Sequence, residues 1–256
     1  MIELLDAKCG YRKKEVLANI SFSLNRGDAI GVLGVNGAGK STLFKSILGL
    51  IPLIEGSIRI DGYDINEMSL TERARSISYV PQIRHYSYNF KGFEIVVMGR
   101  THNIDFFSRP QNIDYEKTKE VFETLNITDL YYKDFTRMSG GEHPIILKAR
   151  ALVKDSKYIS MDEPTSNLDL SNQRKVLNVI NILRKRNIGI LMASHNPEHV
   201  FACCNRVVIL SRGTCECGTT ELIMTECKLS DIFGTKIKIL KGENDDGCEL
   251  LTCCLA

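Results

Sequence analysis

The fold of this 256-residue chain is decided by one stretch, which begins at Gly34 and ends at Thr42. Its residues are, in order, Gly34, Val35, Asn36, Gly37, Ala38, Gly39, Lys40, Ser41 and Thr42. This order matches the pattern G-x-x-x-x-G-K-[ST] of a phosphate-binding loop without deviation. The apolar run before it (residues 28–33) predicts a buried strand, and residues 41–48 predict a helix. A glycine-rich turn with a chance lysine is the alternative, and the strand–loop–helix context disfavours it.

The residue types of this loop suit the phosphates of a nucleotide. Three glycines let the backbone curl so that successive N–H groups face phosphate oxygens, and the helix N-terminus adds a partial positive charge. In this pattern Lys40 reaches the β- and γ-phosphates, and the Ser41 hydroxyl ligates Mg²⁺. The loop therefore predicts binding of a nucleoside triphosphate with Mg²⁺.

A second pattern, YISMDE, spans residues 158–163 and consists of a mostly apolar strand that ends in two acids. Asp162 is suited to hold Mg²⁺ through the water shell that this ion keeps. Glu163 is suited to polarise an attacking water. A strand that ends in two acids is common at a solvated sheet edge, but downstream of a phosphate-binding loop it indicates nucleotide hydrolysis.

The pattern of elements changes along the chain. Short strands are predicted early, at residues 20–24, 56–60 and 77–80. The middle has helical windows at residues 92–98, 114–125 and 141–152, with a loop over 101–111. Strand and helix then alternate again, with a helix over 173–185, a strand over 188–193 and a hairpin over 207–218. The chain is thus an α/β core interrupted by a helical insertion.

Composition excludes several classes of protein. The chain is 43% hydrophobic and 25% charged, with a net charge of +2 and a mean hydropathy of −0.10, as in ordinary globular proteins. No apolar run is long enough for a transmembrane helix, and an acid inside the first apolar patch argues against a signal peptide. Collagen-like and disordered chains are excluded too, and nothing in the charge points to nucleic acid.

A third pattern, MSGGE at residues 138–142, resembles the signature sequence of ATP-binding cassette (ABC) ATPases. Further matches to this family then follow in its order along residues 1–240. Tyr11 matches the aromatic residue that stacks on adenine, Gln82 matches the Q-loop glutamine, the D-loop motif ends at Asp169, and His195 matches the switch histidine. Taken alone, Tyr11 is explained as an aromatic residue of a strand, Gln82 as a solvated loop residue and His195 as a histidine in a turn. The signature pattern alone is explained as the capping box of a helix.

The resemblance implies an α/β fold, a P-loop NTPase (RecA-like) core with an N-terminal antiparallel β subdomain and an inserted α-helical subdomain. It implies a single ABC ATPase domain over residues 1–256, with the core at 1–85 and 156–218, the helical subdomain at 86–155 and a C-terminal appendage at 219–256.

The resemblance also implies site residues. The implied catalytic residues are Glu163, His195 and Gln82. The implied ligands of Mg²⁺ are Ser41, Gln82 and Asp162. ATP is bound by Tyr11, by the loop from Gly34 to Thr42, and by Ser139, Gly140, Gly141, Glu142 and Asp169. The signature residues would act on ATP held by a second copy in a head-to-tail dimer.

The partners implied are a second copy of the chain, a membrane permease and, indirectly, a substrate-binding protein, with no nucleic acid. The permease would contact residues 83–100, from Ile83 to Arg100, at the cytoplasmic face of the cell membrane. Residues 94–100 (EIVVMGR), 106–110 (FFSRP) and 164–173 (PTSNLDLSNQ) resemble importers of iron chelates, haem and cobalamin. The alternatives are a soluble non-transport ABC protein and a catalytically weak regulatory subunit.

Two positions depart from the family pattern. His143 and Pro144 replace the usual basic and amide residues after the signature, and Pro144 predicts a kink near the first turn of the signature helix. Asn196 replaces the Asp that commonly follows the switch histidine. Neither change removes a residue assigned to chemistry.

Nine cysteines, eight of them at or beyond Cys203, suggest a metal site or disulfides at first sight. No pair has the C-x₂-C…C-x₂-C spacing of a zinc site, and an ATPase without an export signal works where thiols stay reduced. The ending CCLA fits a prenylation motif, which we interpret as chance. The sequence therefore predicts free thiols.

Overall fold

The computed structural model describes residues 1–11, 14–81, 89–103, 109–166, 168–211, 213–243 and 249–255. The strands are β1 (Ile2–Tyr11), β2 (Lys14–Leu24), β3 (Ala29–Leu33), β4 (Glu55–Ile60), β5 (Tyr63–Asp64), β6 (Ile77–Val80), β7 (Tyr158–Asp162), β8 (Gly189–Ser194), β9 (Arg206–Ser211), β10 (Thr214–Thr219), β11 (Ile237–Glu243) and β12 (Glu249–Leu255). The helices are α1 (Lys40–Ile47), α2 (Leu70–Ser76), α3 (Gly92–Val97), α4 (Asn112–Thr124), α5 (Glu142–Leu152), α6 (Leu170–Lys185), α7 (Pro197–Cys203), α8 (Thr220–Ile223) and α9 (Glu226–Phe233). Short 3₁₀ segments lie at Met98–Asn103, Thr128–Leu130 and Phe135–Arg137.

The central sheet has the strand order β10-β9-β3-β8-β7-β6. All pairs from β9 to β6 are parallel, and β10 is antiparallel to β9. Every residue of β3, β7 and β8 is buried, because helices cover both faces of a parallel sheet. This explains why these strands are continuous apolar runs in the sequence. The parallel arrangement brings the carboxyl ends of β3, β7 and β8 to one edge.

A second, antiparallel sheet of order β2-β1-β4-β5 contains the N-terminal strands. Its apolar face, which includes Leu4, Ile20 and Ile58, packs in one core cluster with Leu43 and Phe44 of α1. The structure thus has an α/β fold with a P-loop NTPase core and an antiparallel N-terminal sheet. The predicted fold class is confirmed.

The helices α3, α4 and α5 enclose a separate core. Its buried members include Val96, Phe122, Phe135 and Ile146, none of which is more than 1% exposed. Phe93 stacks on Tyr131 at 5.1 Å between ring centroids and extends this core toward the surface. Aromatic pairs in such contact add about 1 kcal/mol beyond their buried area. The helical segment therefore has its own apolar interior.

The structure places the effect of Pro144 at the start of α5. The His143 N–H donates to the Ser139 carbonyl at 3.2 Å, but Pro144 has no N–H to donate to the Gly140 carbonyl. From Glu142 onward α5 is uninterrupted to Leu152. Pro144 lies in the first turn of α5, where its missing N–H leaves the helix uninterrupted.

Four elements of the described chain follow the predicted closing hairpin: α8, α9, β11 and β12. The strands β11 and β12 pair antiparallel as a sheet of their own. This hairpin packs on α7, where the Glu198 carboxylate accepts a hydrogen bond from the Cys253 N–H at 3.2 Å. The cysteines of the described residues are free thiols, and no group of three or more His, Cys, Asp or Glu residues among them is placed to hold a metal.

A buried ion pair joins separate parts of the helical segment. Arg100 donates to the Asp114 carboxylate at 2.9 Å, to Asp155 at 3.0 Å and to the Val153 carbonyl at 3.2 Å. Burial raises the pKa of Asp114, but the Gln111 N–H and Arg100 outweigh this and hold the pKa below its usual range. The carboxylate is therefore stabilised in its charged form.

We predict that Arg100→Met lowers the free energy of unfolding by about 3 kcal/mol, because it leaves a buried carboxylate unpaired. Urea unfolding measures the change. Since the pKa of Asp114 is lowered in the folded state, its stabilisation is present above the unfolded pKa of about 4 and is lost as the pH falls through the folded pKa. The difference in the free energy of unfolding between wild type and Arg100→Met should therefore shrink below about pH 4.

The matched control is Arg137→Met, at a side chain that is 81% exposed and pairs with Asp134 at 3.5 Å. A surface ion pair contributes little, so this variant should change stability by less than about 0.5 kcal/mol. Equal losses of stability in Arg100→Met and Arg137→Met would contradict the stabilising role assigned to the buried ion pair.

Candidate functional site

A cavity of about 540 Å³ opens at the sheet edge where β3, β7 and β8 end. The lining contains most of the residues predicted for the phosphates and the metal: Asn36, Gly37, Gly39, Lys40, Ser41, Thr42, Asp162, Glu163 and His195. Of the remaining loop residues, Ala38 packs against the core, and Gly34 contributes its backbone carbonyl to a bond with Lys40. The structure therefore brings the two separate sequence patterns together.

The phosphate-binding loop places Lys40 at the floor of this cavity. Gly39 precedes α1 with φ +100°, and a Cβ there would lie 2.9 Å from the Leu17 side chain. Lys40 is buried, and its Nζ donates to the Gly34 carbonyl at 2.7 Å and the Val35 carbonyl at 3.3 Å. The first turn of α1 carries no acid and no side-chain cap, so its field favours an anion.

The Ser41 hydroxyl and the Asp162 carboxylate meet beside the loop. Ser41 Oγ donates to Asp162 Oδ2 at 3.3 Å. Burial raises the pKa of Asp162, and the neighbouring Glu163 raises it further, while the Ser41 bond and Lys40 oppose this rise. A hydroxyl and a carboxylate oxygen side by side are the hard oxygen donors that Mg²⁺ prefers, and a divalent cation would offset the cost of the buried charge. The donor set fits Mg²⁺.

Glu163 lies between a cation and an imidazole. Its Oε1 is 3.6 Å from Lys40 Nζ, and its Oε2 is 2.5 Å from His195 Nδ1. The backbone of Glu163 has φ +49°, a left-handed conformation that is uncommon for a non-glycine residue. This turn directs the carboxylate from the end of β7 into the cavity, next to the phosphate-binding lysine.

The signature residues form a capping box, as the sequence predicts. The Ser139 N–H donates to Glu142 Oε2 at 2.6 Å, and the Glu142 N–H donates to Ser139 Oγ at 3.3 Å. Lys133 also donates to both oxygens of Glu142 at 2.8 Å. None of the residues 139–142 lines the nucleotide cavity.

Asn172 joins the signature to the start of α6. A Cβ on Gly141 would lie 2.1 Å from Asn172 Nδ2, so a larger residue there would displace the Asn172 side chain. Asp169 caps α6: its Oδ1 accepts from the Asn172 N–H at 2.8 Å, and its Oδ2 accepts from Asn172 Nδ2 at 3.0 Å. Asp169 also lies outside the cavity lining.

Comparison with known proteins agrees with this geometry. Residues 17–166 match the family model described as ABC transporter. The molybdate import ATP-binding protein MolC of Haemophilus influenzae is 36% identical over 84% of this chain and 80% of its own length. A Helicobacter pylori protein named for iron chelatin transport is 31% identical over 95% of this chain and 97% of its own.

The chain belongs to the ABC transporter family. Among solved structures, a metal-chelate type ABC transporter in an inward-facing conformation superimposes with a TM-score of 0.86 and 30% identity, over all of this chain and 96% of the other. The chain is therefore an ATPase with a nucleotide-binding site. No helix among the described residues has the length and apolarity needed to cross a membrane.

Tyr11 is a further predicted ABC site residue that lies outside the cavity lining that the structure describes. Tyr11, at the end of β1, is exposed and accepts a hydrogen bond from Lys45 Nζ at 3.4 Å instead of lining the cavity. Gln82 lies outside the described residues, as does Asn167 of the D-loop. Their roles remain predictions.

The structure adds a layer of polar residues behind Glu163 and His195 of this ABC ATPase. His199 Nδ1 lies 2.9 Å from Thr165 Oγ1, and its Nε2 lies 3.3 Å from Gln173 Oε1. Burial lowers the pKa of His199, so the ring is neutral at pH 7. The Nε2 atom also lies 3.4 Å from Asn196 Nδ2, so the ring contacts polar groups from three segments. This bridge connects the segment after Glu163 to the helix after His195.

Sequence analysis did not identify Val16, Thr165, Gln173 or His199 as members of the cavity lining. The only available signal for His199 is its position four residues after His195, beyond Pro197 at the first turn of α7. That spacing alone does not distinguish a buried bridging residue from a solvated one.

We predict that Gly39→Ala lowers the free energy of unfolding by about 1–3 kcal/mol and weakens ATP binding. The alanine would have to adopt a positive φ, and its Cβ would press on Leu17. Thermal unfolding and titration with a fluorescent ATP analogue measure the two effects.

Gly242→Ala is the matched control, because no atom lies within 4 Å of a Cβ built there. It should leave stability within about 0.5 kcal/mol of wild type and leave ATP affinity unchanged. Wild-type ATP affinity in Gly39→Ala would contradict the assignment of this loop.

Proposed function

We propose that this ABC ATPase powers uptake of a metal chelate, of the iron–siderophore, haem or cobalamin type, through a separate membrane permease. The hydrolytic part of the proposal is carried by one observation: Glu163 is held 3.6 Å from Lys40 Nζ and 2.5 Å from His195 Nδ1. The chelate cargo is supported by relatives that are named for iron chelatin transport and metal-chelate transport, whereas the molybdate import protein represents a different cargo.

The contact between Lys40 and Glu163 suggests how ATP activates the site. Without ligand, the carboxylate is the counter-ion of the buried ammonium. The γ-phosphate of ATP replaces it there, and Glu163 is released to take a proton from the attacking water. His195 keeps the carboxylate aimed during this exchange through its hydrogen bond to Oε2.

Mg²⁺ bound by Ser41 and Asp162, with Gln82 as a further ligand, would neutralise charge on the β- and γ-phosphates. Ser41 and Asp162 are hydrogen-bonded to each other, so both oxygens would be at hand to hold the ion. Asn36, Gly37 and Thr42 line the same cavity and would contribute to phosphate binding. Tyr11 is the proposed adenine-stacking residue.

The proposed active unit is a head-to-tail dimer. Ser139, Gly140, Gly141, Glu142 and Asp169 lie outside the cavity lining, so in a single chain the signature does not reach the bound nucleotide. A C2 dimer would place the signature of each chain over the γ-phosphate held by the other and form two equivalent sites. Hydrolysis would then release the contact and move the attached permease.

The proposed permease contact uses residues 83–100, of which 89–100 are described. Phe90 and Met98 are exposed there, whereas Ile95, Val96 and Val97 are buried in the helical core. The apolar pair could insert between side chains of a permease loop at the cytoplasmic face of the cell membrane. A substrate-binding protein would act through the permease and would not touch this chain.

We predict that Glu163→Gln reduces ATP turnover at least about a hundredfold, because the amide cannot accept the proton of water. The variant keeps the shape of the side chain, so it should still bind ATP and should accumulate as an ATP-bound dimer. Phosphate release measures turnover, and light scattering with ATP and Mg²⁺ measures the dimer.

Glu198→Gln is the matched control, since Glu198 lies in the first turn of α7 and contacts the C-terminal hairpin outside the cavity lining. It should retain turnover within about twofold of wild type. Full turnover in Glu163→Gln would exclude Glu163 as the base. No turnover in wild type would favour a regulatory subunit.

Co-purification and an uptake assay together test the proposed permease partner and the proposed cargo. The tagged chain should co-purify from membranes with a multi-span permease, and liposomes containing both should take up an iron siderophore, haem or cobalamin only with ATP. Uptake of molybdate in place of these would contradict the metal-chelate cargo. Stimulation of turnover by ribosomes without any membrane partner would favour a soluble non-transport protein.

A further inference from the structure

A second cavity, of about 460 Å³, lies between the end of α4, one face of α5 and one face of α6. It shares no lining residue with the nucleotide cavity. Its volume lies within the range of small-molecule sites, which is about 300–1,000 Å³. Because α5 follows the signature and α6 follows Asp169, a ligand here would contact the two helices that lead away from the proposed dimer surface.

Lys148 of α5 lines this cavity and is only 2% exposed. Its Nζ is buried and has no hydrogen-bond partner among the residues that the structure describes. Buried amines are normally paired, because removal of a cation from water is costly. Burial lowers the pKa of Lys148 to about 7, which reflects the lack of a counter-charge.

The charged groups that line the cavity do not supply that counter-charge. Glu142 is occupied by Lys133 and by the Ser139 N–H. Asp129 follows α4 and is exposed, and Lys175 of α6 is exposed and adds positive charge. An anion that enters the cavity therefore meets two ammonium groups and one free carboxylate.

The remaining walls contain apolar side chains together with the side-chain amides of Asn126, Asn172 and Asn178. Ile145 lies one turn before Lys148 on α5, and Val176 and Val179 lie on the facing side of α6. Inorganic phosphate would find no partner on these apolar side chains. A ligand with one anionic end and an apolar body matches both the amine and the walls.

We propose that this cavity binds a small organic monocarboxylate, with its carboxylate on Lys148 and its aliphatic part against Ile145, Val176 and Val179. The flexible four-carbon stem of Lys148 lets the amine meet the carboxylate. The site is independent of ATP hydrolysis, so failure of the proposed transport function would leave it intact.

The first test compares two ligands of equal size on the full chain, with Mg²⁺ and ADP saturating the nucleotide cavity. Hexanoate should raise the Tm of wild type with increasing concentration, and at ten times its Kd it should shift the folding equilibrium about elevenfold. Hexanamide, which has the same chain without the charge, should cause no such shift. Equal effects of the two ligands, or none from either, would overturn the proposal.

The second test removes the amine. Lys148→Met keeps the length of the side chain and should raise the Tm of the ligand-free chain, because a buried unpaired amine is replaced by an apolar group. It should also abolish the hexanoate shift. The control Lys119→Met removes the same charge from an exposed position of α4, outside the cavity lining, and should keep the full hexanoate response. A hexanoate response in Lys148→Met would overturn the proposal.

The third test observes the amine directly by NMR of lysine labelled with ¹³C at Cε. Wild type should show one signal that titrates near pH 7 and is missing in Lys148→Met. Hexanoate should raise this pKa, because the carboxylate stabilises the ammonium, and hexanamide should not. A pKa that stays the same with hexanoate would contradict contact between the ligand and Lys148.

Discussion

The site depends on the parallel pairing of β3, β8 and β7. In this register Leu33 pairs with Ser194 and Asp162 pairs with Ala193, so the three strands end side by side. The residues that follow them are the phosphate-binding loop, the switch histidine and the glutamate. A shift of one residue in any strand would turn its side chains to the other face and separate these groups. The chemistry of the cavity is therefore a consequence of strand register.

A buried positive charge and a strained turn meet at this edge. The ammonium of Lys40 donates hydrogen bonds to two backbone carbonyls and is paired with the Glu163 carboxylate. The backbone of Glu163 itself has a positive φ. That conformation costs about 1–3 kcal/mol and persists only where neighbouring bonds fix it. Here the Glu163 N–H donates to the Ala193 carbonyl, and Ser166 donates to the Glu163 carbonyl through both its N–H and its Oγ. The strained backbone therefore belongs to Glu163, the residue that is proposed to take a proton from the attacking water.

The helical segment encloses a core cluster of its own. Within the segment, the buried Arg100 joins Asp114 of α4 to Asp155 after α5. On its other side, Asn172 contacts Asp169 and lies against Gly141. The signature is thus next to the start of α6, and α5 and α6 are the helices that enclose Lys148.

Much of this could be predicted from sequence, because the phosphate-binding loop and the buried strands are local patterns. The first strand was missed, since register shifts between Leu4 and Ala7 and between Ala7 and Cys9 break its alternation. The bridging role of His199 and the isolation of Lys148 depend on side chains from distant segments, which no local pattern reveals. The pairing of the C-terminal hairpin with α7 is long-range in the same way.

The dimer with shared sites is tested most directly by mixing two inactive variants, Lys40→Met and Ser139→Arg. In a mixed dimer one site carries both changes, and the other combines an intact loop with an intact signature. Random pairing should therefore restore about a quarter of the wild-type ATP turnover, although each variant alone is inactive. A mixture that stays as inactive as its components would contradict the account, because each chain would then complete its own site.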